Sequence, residues 1–245
     1  MKRRSLALLL LLVPGVAAAD VPLNGVAIGT TVSAIAQTLG PPADVASGDN
    51  GNRFVFADGT TAYADDDGVV LAVETQTGSP RIDIDGTVHA FRSGTYSAAR
   101  ADAELANVAE FSTPTLRSYR LAPRRDLVFA FAPASQRLER VTYGEPGQLA
   151  RLGLLPGDAA SKAVTFRAPR LRRSAGDAAP AGPQTSVYRV SVDRAGSVTD
   201  VSVAIASADA DGDAELARRL RADRYVPATL DGRPIAATIF VELRH

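Results

Sequence analysis

The chain has 245 residues, with 27 Lys and Arg against 27 Asp and Glu, 46% hydrophobic residues and no cysteine. The missing cysteine excludes disulfides, thiol chemistry and lipidation at a cleavage-site cysteine. The even charge balance argues against nucleic acid, which needs a basic footprint, and the length allows two domains of ordinary size.

Met1–Ala19 reads as a secretory signal: Lys2, Arg3 and Arg4 form a positive start, Leu6–Val13 a short apolar run, and Ala17–Ala19 a small-residue cleavage site. The apolar run is shorter than the roughly 20 residues a spanning helix needs, so the mature chain is expected to begin near Asp20 without a membrane span. Removing the three basic residues of the leader from 27 leaves 24 against 27 acidic, a net charge of about −3. The expected location is periplasmic or secreted, in the cell envelope or beyond it.

Thr30 or Thr31 can cap a helix with apolar positions at Val32, Ile35, Ala36 and Leu39, ended by Gly40 and Pro41. Strands are predicted at Arg53–Ala57, Thr60–Ala64 and Val69–Thr75, with Asp58-Gly59 and Asp67-Gly68 as hairpin turns. A second copy of this pattern follows. Gly94-Thr-Tyr-Ser parallels Gly29-Thr-Thr-Val, a helical stretch runs to about Ala109, and strands are predicted at Leu116–Leu121, Asp126–Phe131 and Arg137–Tyr143. Residues 20–157 are therefore expected to form a duplicated helix-plus-β-meander domain, with Leu149, Leu152, Leu154 and Leu155 sealing it. Residues 158–184 read as linker and lead-in. The stretch from Arg167 to Gln184 is rich in Ala, Pro, Gly and Ser, and is locally basic at Arg170, Arg172 and Arg173.

Residues 185–245 read as a small ββαβ domain. Val187–Asp193 and Val198–Ile205 alternate with period two around the turn Arg194–Ser197. A helix is predicted over Ala214–Ala222 behind Asp213 as cap, and Ile235–Leu243 is predicted as a closing strand. That strand places Thr238, Phe240 and Glu242 on one face and Ile235, Ala237, Ile239 and Val241 on the other. The whole is an α+β fold.

Arg224-Tyr-Val-Pro-Ala-Thr-Leu-Asp-Gly-Arg-Pro234 before a closing strand resembles the signature of the TonB C-terminal domain family, over about 164–245. The resemblance implies a protein-binding module that contacts an outer-membrane receptor by adding a strand across the interface. The Tyr-Pro pair and first short helix that the family places after Pro169-Arg-Leu171 are absent. The Gly-x-helix-Leu-Gly-x-Pro-meander arrangement of about 25–147 is similar to the BamE and β-lactamase inhibitory protein superfamily, whose modules are periplasmic or secreted and bind other proteins with the sheet or its loops.

No residue pattern points to a cofactor, a metal or catalysis. Ser207–Glu215 fits an EF-hand loop in part, but the position of the bidentate Glu is Arg218. Asp65, Asp66 and Asp67 sit in a hairpin turn, where Asp and Gly belong for backbone reasons. His89 and His245 have no second ligand nearby in sequence, and there is no Gly-x-Ser-x-Gly. The expected protein is a non-enzymatic envelope protein whose partner is another envelope protein, an outer-membrane receptor being one candidate. The binding residues are expected in the edge strand: Ile235, Ala236, Ala237, Thr238, Ile239, Phe240 and Val241, whose main chain pairs with a partner strand. If that strand is instead paired within a self-associated sheet, the protein is a scaffold or dimer. The rival class is an inhibitor or envelope-assembly factor binding through the N-terminal repeats, which exposed aromatics among Phe54, Phe56, Tyr63, Phe129 and Phe131 would favour.

Overall fold

A computed structural model describes residues 23–48, 51–76, 80–84, 87–122, 125–155, 166–173, 184–230 and 232–244. The signal-like segment Met1–Ala19, most of the linker and Asp231 of the Asp-Gly-Arg-Pro turn lie outside them. No helix among the described residues is long and apolar enough to cross a membrane.

In chain order the elements are α1 (Val32–Leu39), β1 (Asp44–Gly48), β2 (Gly51–Val55), β3 (Thr60–Ala64), β4 (Val70–Thr75), β5 (Arg81–Ile84), β6 (Thr87–Ala90), α2 (Ala98–Glu104), β7 (Ala109–Ser112), β8 (Leu116–Ala122), β9 (Arg125–Phe131), β10 (Leu138–Gly144) and α3 (Pro146–Arg151). There follow β11 (Phe166–Arg167), β12 (Arg170–Arg173), β13 (Thr185–Val192), β14 (Val198–Ile205), α4 (Ala210–Leu220), β15 (Arg224–Val226), β16 (Ala228–Leu230), β17 (Arg233–Ile235) and β18 (Ala237–Arg244).

The α+β expectation, with its duplicated helix-plus-meander domain and small ββαβ domain, is overturned. Among the described residues strands make up 50% and helix 19%, with four short α-helices. The dominant element is one antiparallel sheet of eight strands in the order β1-β2-β3-β4-β10-β9-β8-β7. The physical reason lies at its middle, where β4 and β10 pair from Thr75↔Val141 to Ala72↔Gly144 and make one continuous ladder. Gly144 permits that approach, since a Cβ there would lie 2.5 Å from the Ala72 side chain. Two edge strands were also missed. β1 is Asp-Val-Ala-Ser-Gly and β7 Ala-Glu-Phe-Ser, both poor in the β-branched and aromatic residues that mark strands.

One face of the eight-stranded sheet is apolar and carries α1 and α2. Thr31 accepts from the Ala34 N–H and Ser97 from the Arg100 N–H, each hydroxyl satisfying a donor in its helix's first turn. Phe91, Tyr96, Phe129 and Phe131 pack edge to face beneath α2, with the rings of Phe91 and Phe129 4.7 Å apart. The opposite face is covered in part by α3 and the residues after it, where Leu149 and Leu154 pack on Ala72 and Val128.

A second sheet has the order β14-β13-β18, with α4 over one side. Leu216, Ala217 and Leu220 of α4 meet Tyr188, Val190, Val201 and Ile239 in its core. The helix begins four residues before the predicted start, and its cap is Asp209, which accepts from the Gly212 N–H at 2.9 Å. Asp213 is buried in the first turn and accepts from Ser186 Oγ, from the Ser207 N–H at 2.9 Å and from the Ser207 hydroxyl at 2.9 Å. The closing strand predicted from Ile235 is split at Ala236: β17 pairs with β16, and β18 runs beside β13 from Ala237↔Val192 to Arg244↔Thr185. Of the stretch read as linker, residues 166–173 form β11 and β12, which pair with β16 and β15. The β13–β14 turn is pinned where Gly196, at φ +82°, lets its carbonyl accept from the Tyr225 N–H; a Cβ there would lie 1.9 Å from the Tyr225 carbonyl oxygen.

Candidate functional site

The expected binding strand lies at one edge of the three-stranded sheet. Ile235 ends β17, Ala236 is the break, and Ala237, Thr238, Ile239, Phe240 and Val241 all lie in β18. Its far side faces β1, the edge strand of the larger sheet, without a backbone ladder between them. Side chains close the gap. The Phe240 N–H donates to Ser47 Oγ at 2.8 Å, and the Thr238 backbone lies beside the Asp66 carboxylate. The Ser47 hydroxyl in turn donates to Asn52 Oδ1 at 2.6 Å, and Asn52 Nδ2 donates to the Asp65 carbonyl at 3.1 Å. Thus one N–H group that β18 turns away from β13 is met by a serine of the N-terminal sheet, and a second lies beside an aspartate.

The two faces of β18 enter two different cores. Ile239 packs under α4, as alternation predicts. Phe240, on the face the sequence leaves outside, is 4% exposed and joins the core of the eight-stranded sheet, its ring edge-on to Phe54 at 5.1 Å. Val187 and Ile205 belong to that same core. Arg189, directly across from Phe240 on β13, completes the seam: its Nε donates to the Asp66 carbonyl at 2.6 Å and its Nη2 to Asp67 Oδ1 at 2.7 Å. This last ion pair is exposed and contributes about 0–1 kcal/mol.

The three adjacent aspartates, read from sequence as an ordinary turn, divide their work. Asp65 accepts from the N–H groups of Asp67 and Val69 and holds the turn. Asp66 reaches β18, and Asp67 pairs with Arg189. Although Asp66 lies on an exposed turn, crowding around its carboxylate holds its pKa above the usual Asp value; the bonds from Asn52 and Thr238 offset part of that rise. Sequence reasoning had no signal for this role, because the receiving strand is more than 170 residues away in the chain.

Two clefts lie among these elements. One, of about 530 Å³, is lined by Asn52, Asp65, Asp66, Gln148, Arg151 and Leu230. The other, of about 550 Å³, lies between α1 and the start of α4, with Gln37, Gln184, Ile205 and Ser207 on its walls.

Elsewhere, Glu74 is buried on the outer face of the large sheet in the row Thr61–Glu74–Thr142. It accepts from Gln76 Nε2 at 3.0 Å and from the Thr142 hydroxyl at 3.4 Å, and lies 3.5 Å from Arg140. Burial, then the neighbouring Glu74, raises the pKa of the Tyr63 phenol beside it. The cluster is a satisfied polar anchor under the sheet's cover. Of the aromatics whose exposure would favour binding through the repeats, Phe54, Phe56, Phe129 and Phe131 are buried and Tyr63 is half-buried. Among the described residues no group of three or more His, Asp or Glu could hold a metal ion. In the loop that partly fits an EF-hand, Asp209 and Asp213 accept from N–H and hydroxyl groups of their own loop. His89 stacks on Phe91 with ring centroids 6.0 Å apart.

No protein-family model and no curated protein matches the sequence. Among solved structures, a cysteine-rich secretory protein from Staphylococcus aureus subsp. aureus Mu50 is similar at 11% identity with a TM-score of 0.32. The match covers 54% of this chain and 49% of that one, so the chain spans about half the length of that neighbour.

Proposed function

We propose that this chain is an exported, non-enzymatic envelope protein that binds another envelope protein by strand pairing along β18, and that the N-terminal sheet is the intramolecular occupant of that edge. Export rests on the signal-like Met1–Ala19, and the kind of module on the TonB-like run from Arg224 to Pro234. The observation that carries the reading is how the edge is closed. Ser47 accepts from the Phe240 N–H, and Asp66 lies beside the Thr238 backbone, in place of a backbone ladder. A partner strand would supply carbonyl acceptors along the whole edge, each backbone bond contributing about 1 kcal/mol net. Against that gain stands the opening of the seam, so the apparent affinity is the intrinsic one multiplied by the fraction of open molecules.

The test compares three full-length variants in capture of partner from outer-membrane extracts. Ser47→Ala combined with Asp66→Ala removes the occupant's acceptors and should increase capture. Thr238→Pro removes an outward N–H and should abolish it, with circular dichroism run alongside to show the domain still folded. Thr238→Ala should bind as the unaltered chain does. A folded Thr238→Pro protein with undiminished capture would falsify strand pairing at β18.

A further inference from the structure

The short strands beyond the two sheets carry an arrangement that strand pairing does not use. β11 and β12 pair with β16 and β15, and β17 closes on β16, giving two narrow ribbons. Arg167, Arg170, Arg172, Arg224 and Arg233 are all exposed on them. None of these five guanidiniums has a carboxylate partner among the described residues, whereas Arg53, Arg100, Arg117, Arg120 and Arg125 of the eight-stranded sheet and its helix all do. Tyr225 turns into the core, so alternation sets Arg224 and Val226 outward, and register sets Arg170 opposite Val226 on that face. Arg224 is met across the ribbon by the bulge after Leu171 that carries Arg172 and Arg173. Like charges placed across a strand pair repel.

Aliphatic groups are interleaved with these charges. Of the four large hydrophobic residues well exposed among the described residues, three lie here: Leu171 (55%) opposite Tyr225, Val226 (49%) opposite Arg170, and Leu230 (39%) opposite Arg233. A mosaic of guanidinium and bare aliphatic side chains matches the boundary between anionic headgroups and acyl chains. There the cations meet phosphate, and the apolar groups leave water. A single-stranded nucleic acid would instead want aromatic platforms, and Tyr225, the described aromatic side chain of the ribbon, is buried. We infer that the arginine ribbon of β11, β12 and β15–β17 is a docking surface for an anionic phospholipid bilayer. The inference stands apart from strand pairing at β18, which is not part of the ribbon.

The experiment is flotation of the chain from Asp20 onward, so that the leader's apolar run does not contribute. Vesicles of phosphatidylglycerol mixed with phosphatidylcholine are compared with vesicles of phosphatidylcholine alone. The chain should float with the mixed vesicles only. A basic side chain near an anionic surface is worth about fivefold in binding, so Arg170→Ala/Arg172→Ala/Arg224→Ala should weaken it on the order of 100-fold, and Arg224→Gln alone about fivefold. Leu171→Ser/Val226→Ser keeps every charge and should weaken binding several-fold. The inference is overturned if the chain floats equally with neutral vesicles, or if the folded arginine variants bind undiminished. It is overturned too if Leu171→Ser/Val226→Ser changes nothing, which would leave a general polyanion site. A DNA duplex or polyglutamate bound more tightly than the mixed vesicles would likewise reassign the ribbon to nucleic acid or to an acidic protein.

Discussion

Replacing Phe240 with alanine asks whether the C-terminal strand is a structural member of the N-terminal sheet. Its ring is 4% exposed and packs edge-on against Phe54 at 5.1 Å. Truncating a buried Phe to Ala costs about 3–5 kcal/mol, of which the edge-to-face pair supplies about 1 kcal/mol. A loss of about 4 kcal/mol is therefore expected, a large part of a typical domain's total stability of roughly 5–15 kcal/mol. Where the loss falls matters more than its size. Ile239→Ala, one residue away, should cost a similar 2–5 kcal/mol, all of it in the core under α4. Urea denaturation followed by circular dichroism gives the totals, and hydrogen exchange read peptide by peptide gives the location. In the unaltered chain the slowest amides of β2–β3 and of β13–β14 should open with one free energy. In Phe240→Ala they should part, because the ring that seats β18 against Phe54 is gone. A Phe240→Ala protein within about 1 kcal/mol of the parent, with coupled exchange intact, would refute the reasoning.

Four other outcomes are expected. Asp213→Ala strands the buried donor of Ser186 and the half-buried donors of Ser207 and should cost about 3 kcal/mol in chemical denaturation. Gly196→Ala forces a side chain onto the Tyr225 carbonyl at a positive φ and should destabilise by more than about 2 kcal/mol, measured the same way. The raised pKa of Asp66, caused chiefly by desolvation, means the fold prefers its protonated form. That contribution is complete below the ordinary Asp range and is lost as pH rises through the raised native value, so Asp66→Asn should flatten this part of the melting-temperature profile measured from acid to neutrality. Millimolar calcium should leave the melting temperature unchanged, since Asp209 and Asp213 already accept from their own loop; a rise lost in Asp211→Ala would contradict this.

Legibility followed the range of each interaction. β13 and β14 could be read because strict alternation around Asp193-Arg-Ala-Gly196 is a local signal, and Ile239 fell on the predicted inner face for the same reason. Alternation says that a strand has two faces but not that both are buried, so Phe240 was assigned to solvent when it fills a second core. The weld of β4 to β10 joins residues almost seventy apart, and its enabling feature is a glycine, Gly144, which reads as a turn residue in isolation. Asp65–Asp67 satisfied every rule for a turn, and nothing in its neighbourhood announces the strand that Asp66 receives. β15, β16 and β17 are three residues each, too short for a period to show.

The placement of β18 bears on how the molecule is made. It follows every other described element, so the ribosome delivers it after both of the sheets it completes have begun to form. Until it arrives, β13 lacks a neighbour, the aliphatic floor beneath α4 lacks Ile239, and the aromatic wall around Phe54 lacks its final ring. Folding therefore cannot lock either half early. A chain that lacked β18 would offer two unfinished hydrophobic surfaces to chaperones and proteases at once.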